Sequence, residues 1–237
     1  MERLKFQQGN SKLNKNIYTF TLPAGHTCPF ALKCFSKFDP SQNKIIDGPN
    51  IDFRCFAVTY EARFKNARNN VWHNLNLLKS CNNNITKLYN LIFNSIPLES
   101  KIIRIHVGGD FFHINYFKAW LNVISKFPNI TFYAYTKAIP FIVKYKNNIP
   151  SNFKITASFG GTHDDLIIKH NLISAQVVFS PNNTTLPIDH NDSLAIANNQ
   201  PFALLLHGMQ PKQSPASKAW NTLKKLNLGG YNRNKTK

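Results

Sequence analysis

The chain has 237 residues, of which 43% are hydrophobic and 13% aromatic; that is enough to bury a sizeable core and too apolar for a disordered chain. Lys and Arg number 29 against 11 Asp and Glu, a formal charge of +18 spread along the sequence, so a polyanion, nucleic acid or a nucleotide, is the expected partner class. The N-terminus has no signal-peptide core and no apolar run approaches the ~20 residues that span a bilayer; the expectation is a cytoplasmic protein without a membrane partner, its four cysteines reduced.

Residues 17–22 alternate apolar side chains with threonine and stop at Pro23-Ala24-Gly25, which predicts a first strand ended by a turn. A loop over 23–55 then carries Cys28, Cys34 and Cys55, interrupted at 36–50 by a polar excursion whose Asp-Pro and Gly-Pro pairs mark it as exposed. From residue 56 to 80 there is no Pro or Gly, and apolar residues at 58, 64, 67, 71, 75 and 78 recur at helical spacing. One long amphipathic helix is predicted there, with a second over 85–93. Strands at 102–107, 130–136, 153–159, 175–180 and 202–207 then alternate with helices at about 114–127, 140–146, 164–170 and 215–226.

Short, nearly continuous apolar strands separated by helices describe a parallel sheet covered on its faces. Six of them in β-α order predict an α/β single domain, a partial (β/α)6 TIM-like barrel with mostly parallel strands; a doubly wound sheet is the alternative. The domain is expected over 1–230, with 231–237 a mobile basic tail. In either arrangement functional residues collect at the carboxyl ends of the strands.

Those ends carry the unusual residues. The C-x5-C-x20-C spacing of Cys28, Cys34 and Cys55 is not the pair of tight pairs that a zinc finger shows. Three cysteines suit an iron–sulfur cluster that leaves one iron open; ordinary reduced cysteines are the plain alternative. Cys81 is either a fourth ligand or a small buried hydrophobe, and His26 is placed to ligate or to hydrogen-bond. Gly108-Gly109-Asp110 ends a strand, where the glycines admit close approach of a ligand and Asp110 suits either an ammonium or hydroxyl ligand or a helix N-cap. His106 and His113 flank that turn as structural hydrogen-bonders. Lys137, after Y-A-Y-T, and His207, before Gly-Met-Gln, are the candidate catalytic groups at later strand ends. No G-x-S-x-G, Walker-type loop or H-E-x-x-H is present, so hydrolase, P-loop and zincin chemistries lose their usual motifs.

The ordered segments L-P-A-G-H-T-C-P-F-A-L-K-C, C-F-A-V-T-Y-E-A-R-F, I-H-V-G-G-D-F-F, F-Y-A-Y-T-K and L-L-L-H-G-M-Q-P-K-Q-S-P-A-S-K-A resemble the bacteriophage "gene product 88" family over about residues 10–231. The resemblance implies a phage origin, hence the cytoplasm of an infected bacterial cell, more firmly than it implies a reaction. The layout is more distantly similar to radical S-adenosylmethionine enzymes. That similarity implies a four-iron, four-sulfur (4Fe-4S) cluster on Cys28, Cys34 and Cys55. It further implies S-adenosylmethionine held at Gly108, Gly109 and Asp110, with Ser158 taking its carboxylate or ribose. Two departures stand: the family's cysteine spacing is far tighter, and Asp110 replaces a glutamate.

Overall fold

The predicted apolar runs become strands and the amphipathic stretches become helical in the computed structural model, which describes residues 2–9, 13 and 16–228. The tail expected at 231–237 lies outside those residues. In chain order the elements are β1 (Phe6–Gln8), β2 (Ile17–Phe20), β3 (Ser36–Asp39), β4 (Lys44–Asp47), α1 (Phe56–Arg63), α2 (Lys65–Ser80), α3 (Ile85–Phe93), β5 (Ile102–Ile105) and α4 (Ile114–Ile124). There follow β6 (Thr131–Thr136), α5 (Ile139–Lys144), β7 (Phe153–Ser158), α6 (Asp164–Lys169), β8 (Ser174–Val178), α7 (Ser193–Ala197), β9 (Phe202–Leu205) and α8 (Pro215–Lys225).

The sheet has seven strands in the order β1-β2-β5-β6-β7-β8-β9. From β2 to β9 every pairing is parallel, and β1 adds an antiparallel edge, Phe6 opposite Phe20. Parallel strands in strict chain order exclude the doubly wound alternative, which requires the order to reverse. The sheet is open: β1 and β9 stay at opposite edges, so the closure of a TIM-like barrel is not formed, and the architecture is a single-domain, mostly parallel α/β sheet.

Alternation of side chains along the strands sorts the two faces. Phe20, Ile103, Ile105, Phe132, Ala134 and Phe153 point to one face and bury against the apolar sides of α2, α3 and α4, where Trp120 and Phe117 are fully enclosed. Ala157 meets α5 and α6 on the same face, and Val178, Ala203 and Leu205 meet α8. The opposite face carries Ile17, Tyr133, Ala175 and Phe202, and Ala195 of α7 packs there. α7 was not foreseen; its short polar approach, H-N-D, hides an apolar turn.

Two expectations are corrected. The single helix over 56–80 is two, because Phe64 adopts an extended conformation (φ −115°, ψ 103°) between α1 and α2. Arg68 makes the break tolerable by donating Nη1 to the carbonyls of Glu61 and Ala62, which lose their helical partners there. The excursion at 36–50 is not merely exposed chain. β3 and β4 pair as a hairpin, Ser36 opposite Asp47, and Phe38 buries its ring beside Ala24 and Val58.

Candidate functional site

The loop after β2 folds so that its insertion closes on itself. Gly48 N donates to Phe35 O at 2.8 Å, and Asp52 N donates to Lys33 O at 2.8 Å. The chain therefore leaves at Lys33 and returns at Asp52, with the hairpin as a separate stem, and Cys34 and Cys55 stand on either side of its root. Arg54 and Asp47 form an ion pair across that root. Gly25 turns the chain toward it with φ +74°, and a Cβ there would fall 2.4 Å from Ser36 O. His26 is committed to this stem: Nε2 lies 2.8 Å from Phe38 O, and the ring packs edge-on to Trp72. It serves as a hydrogen-bonder rather than a ligand.

Cys28, Cys34 and Cys55 share one electrostatic neighbourhood at the carboxyl end of the sheet. Burial pushes the Cys28 thiol well up, and Asp110, Cys55 and Cys34 add to the shift, while the Gly25 amide, donating to Sγ at 3.4 Å, opposes it. Burial, with Cys34 beside it, raises the Cys55 thiol to about 11; the amides of Ala57 and Val58 at the start of α1 and the charge of Lys137 pull the other way. Thiols held up in this way are poor nucleophiles, which argues against a cysteine-nucleophile enzyme. Among the described residues, no group of three or more His, Cys, Asp or Glu side chains stands close enough to hold a metal ion. The donor set matches a soft metal or cluster in type and neighbourhood without being closed to ligand geometry. Cys81 sits at the end of α2, its Sγ 3.5 Å from Leu77 O in the helix-side core; it has the place of a buried hydrophobe.

Asp110 joins this neighbourhood from β5 and is buried. Its Oδ1 accepts from Phe111 N (2.7 Å) and Thr136 Oγ1 (2.5 Å), and its Oδ2 accepts from Lys137 N (2.8 Å). Burial pushes its carboxyl up, against the pull of those donors. It is not the cap of α4. His113 is, accepting from Asn115 N. Gly108 O accepts from Leu22 N, so the Gly-Gly turn is stitched to the end of β2. The side chain of Lys137 runs beside Gly160 and Gly161 and donates to Ser158 Oγ at 2.7 Å. Gly160 O in turn accepts from Leu32 and Lys33 of the cysteine loop. Cys28, Cys34, Cys55, Gly108, Gly109, Asp110, Lys137 and Ser158 thus belong to one end of the sheet.

His207 follows β9 at the same end of the sheet. It stacks on Phe56 with ring centroids 4.6 Å apart and lines a cleft of 490 Å³ between α1 and α8. Two links run to the cysteine loop: Phe56 follows Cys55, and Gln210 bridges Arg54 and the His207 carbonyl. His106 is the structural hydrogen-bonder expected beside the turn, although strict alternation along β5 would put its ring on the Arg104 face. Its φ of +63° instead sends the ring into the helix-side core, where Nε2 meets Tyr116 Oη at 2.9 Å and burial lowers its pKa to about 3. It is neutral and structural.

Two polar features were missed by sequence reasoning. On the face opposite the helices, Arg104 Nη1 donates to Asp192 Oδ2 at 2.6 Å, and the hydroxyls of Tyr133 and Tyr135 donate to the same carboxylate. Arginine inside the I-I-R-I strand was the available signal. The second is Glu61 of α1, only 4% exposed, which accepts from Ala24 N at the mouth of the cysteine loop and from Trp72 Nε1. Burial raises its carboxyl from 4.5 to about 7. The native state therefore holds this proton more tightly than the unfolded chain does. The contribution is fully present below pH 4.5 and is lost as pH rises through about 7. Stability in urea is expected to fall by roughly 2–4 kcal/mol over that window from this group, and Glu61→Gln to flatten the profile. An unchanged slope in the variant would assign the pH dependence elsewhere.

No helix among the described residues is long and apolar enough to cross a membrane. Searches of curated proteins and of solved structures return no match to this chain. The family model described as Gene product 88 matches residues 3–222, nearly the whole chain. On that match, and with the cysteine loop, the Gly-Gly-Asp turn and the last strand end all inside it, the chain belongs to the gene product 88 family.

Proposed function

We propose that the protein is a radical-S-adenosylmethionine-like iron–sulfur enzyme acting on a nucleotide or nucleic acid, working in the cytoplasm of an infected bacterial cell. The observation that carries this reading is the self-closing hairpin stem. By pinching Lys33 to Asp52 it cancels most of the long gap before Cys55, the strongest objection that the spacing raised. Cys28, Cys34 and Cys55 would hold a 4Fe-4S cluster, and the N–H of Gly25 toward Cys28 Sγ is the kind of donor that tunes cluster sulfur. When bound, such a cluster would supply the electron for reductive cleavage of S-adenosylmethionine.

The remaining roles fall to the chain's own groups. Gly108 and Gly109 let Ala57, Leu22 and Thr27 pack against the turn, since a Cβ on either would fall 2.5–2.8 Å from them; the glycines bring the cysteine loop beside Asp110 and do not open the backbone to a ligand. A carboxylate has about four acceptor positions; Asp110 uses three of them within the protein, which leaves one for an amino group. Lys137 and Ser158 form a paired ammonium and hydroxyl suited to a carboxylate or ribose. His207 would act from the neighbouring cleft, on substrate rather than on cofactor.

A second reading is a non-enzymatic nucleic-acid-binding or host-interaction protein whose thiols are structural or bind zinc. It is favoured by the lack of a closed metal-ligand group among the described residues. Anaerobic reconstitution with ferrous iron and sulfide separates the two. The enzyme reading expects roughly four irons and matching labile sulfide per chain, with Cys28→Ala, Cys34→Ala and Cys55→Ala each losing the iron and Cys81→Ala keeping it. A chain that retains no iron, or takes up zinc alone, would falsify the cluster assignment.

A further inference from the structure

The cleft between α1 and α8 is floored by the turn after β9 and held rigidly to the cysteine loop. Arg54 N donates to Gln210 Oε1 at 2.7 Å, and Gln210 Nε2 reaches back to the carbonyls of Arg54 and His207. The residue before Cys55 and the floor of the cleft therefore move as one body. The walls are unusual for a protein surface. Tyr60 of α1 and Phe64, just past its end, are 48% and 45% exposed, with rings 4.9 Å apart, and Trp220 of α8 faces them as a half-buried lining residue. Arg63 lies 5.4 Å over the Phe64 ring and Lys224 lies 5.6 Å over Trp220. Among the described residues no Asp or Glu lines the cleft.

Each wall thus pairs a flat aromatic face with a cation beside it. That is the requirement of an unpaired nucleotide strand, which stacks bases on aromatic rings while its phosphates meet Arg or Lys. A duplex offers phosphates but no base faces, and an acidic peptide offers carboxylates but nothing to stack. The volume, 490 Å³, lies within the range of small-ligand clefts, room for a short stretch of strand rather than for a folded partner. We infer that this cleft, built from Tyr60, Phe64, Trp220, Arg63 and Lys224, binds single-stranded nucleic acid. The inference sharpens the substrate class of the proposed function, but the binding itself needs no cluster, so it stands or falls separately.

The test is fluorescence anisotropy of a labelled oligothymidylate of about ten nucleotides, within the span of known single-strand sites, titrated with protein purified without iron. Tyr60→Ala and Trp220→Ala are each expected to weaken binding by roughly 5- to 150-fold, the range for losing one base–aromatic stack. Arg63→Gln with Lys224→Gln is expected to reduce the slope of log affinity against log salt by about 1.4, two phosphate contacts on a single strand. A control pair on the exposed surfaces of α2 and α3, Lys79→Gln with Lys87→Gln, should leave the stacking contribution untouched. Tyr60 is the more exposed position, so its variant reads the stack even where loss of Trp220 disturbs α8. Absence of binding at low salt overturns the inference. So does binding that neither aromatic variant changes, or a duplex that binds as tightly as the single strand. Iron reconstitution is scored independently, and its failure leaves these titrations intact.

Discussion

Gly109→Ala is expected to destabilise the protein by roughly 2–5 kcal/mol, the sum of a left-handed backbone penalty for a residue with a side chain and of overpacking. Gly109 has φ +81°, and a Cβ on it would lie 2.5 Å from Thr27 Oγ1 and 2.6 Å from Leu22 Cβ. Neither neighbour can yield cheaply. Leu22 is buried at the end of the first parallel strand, and Thr27 is buried and tied through Oγ1 to Pro23 O at 2.9 Å. Displacing Thr27 also displaces Cys28, the next residue, so under the proposed cluster assignment the substitution should lower iron retention after reconstitution along with the urea midpoint. Gly208→Ala is the internal comparison. It has a similar φ of +87°, but its Cβ would meet Phe56 at 3.0–3.1 Å, and the loss should be smaller, about 1–3 kcal/mol. Equal losses at the two glycines would show that backbone conformation alone matters and that the contact with the cysteine loop does not.

Asp110→Ala should cost about 3–5 kcal/mol. The carboxylate gathers the amides of Phe111 and Lys137 and the hydroxyl of Thr136 in a site that water does not reach. Truncation leaves Lys137 N and Phe111 N without that acceptor, at about 1–3 kcal/mol for each buried orphan. Thr136 Oγ1 also accepts from Ala138 N at 2.9 Å, so the hydroxyl is held and cannot turn to replace the lost group. Asp110→Asn should fall between the two proteins, because the amide keeps one oxygen but sets an N–H against one of the donors. Urea denaturation with an unchanged m-value reads these differences as stability. If Asp110→Ala were nearly neutral, the carboxylate would be held for ligand contact rather than for the fold.

Much of this architecture could be read before any coordinates. The six parallel strands announced themselves by continuous apolar runs ending in Gly, Pro or a polar cluster; the short strands β1, β3 and β4 carry no such run and were not foreseen, and the order of strands in the sheet had to come from the structure. The gathering of Cys28, Asp110, Lys137 and Ser158 at one end of the sheet follows from β-α alternation alone. What could not be read was set by contacts distant in sequence or by single backbone dihedrals. The break at Phe64 depends on Arg68 capping the carbonyls behind it, which helical periodicity does not register. His106 leaves its expected face because of one positive φ. Arg104 finds Asp192 across 88 positions of chain, and nothing near either residue marks the pairing. The hairpin was read as punctuation because Asp-Pro and Gly-Pro resemble loop signals, while the bonds that make it a stem join residues on either side of it.

The hairpin's construction bears on how this protein's kin should be recognised. Its root is fixed, since Ser36 and Phe38 are buried and the strands are tied off at Phe35 and Gly48. Its tip, residues 40–43, is exposed and can lengthen or shorten at little free-energy cost, because loop closure depends only logarithmically on length. The fold therefore sets little constraint on the length of chain between Cys34 and Cys55, while the root fixes where the two thiols stand. A hairpin of another length on the same root would leave the approach of Lys33 to Asp52 unchanged, so this segment is better described by counting from Lys33 forward and from Asp52 backward than by one fixed interval.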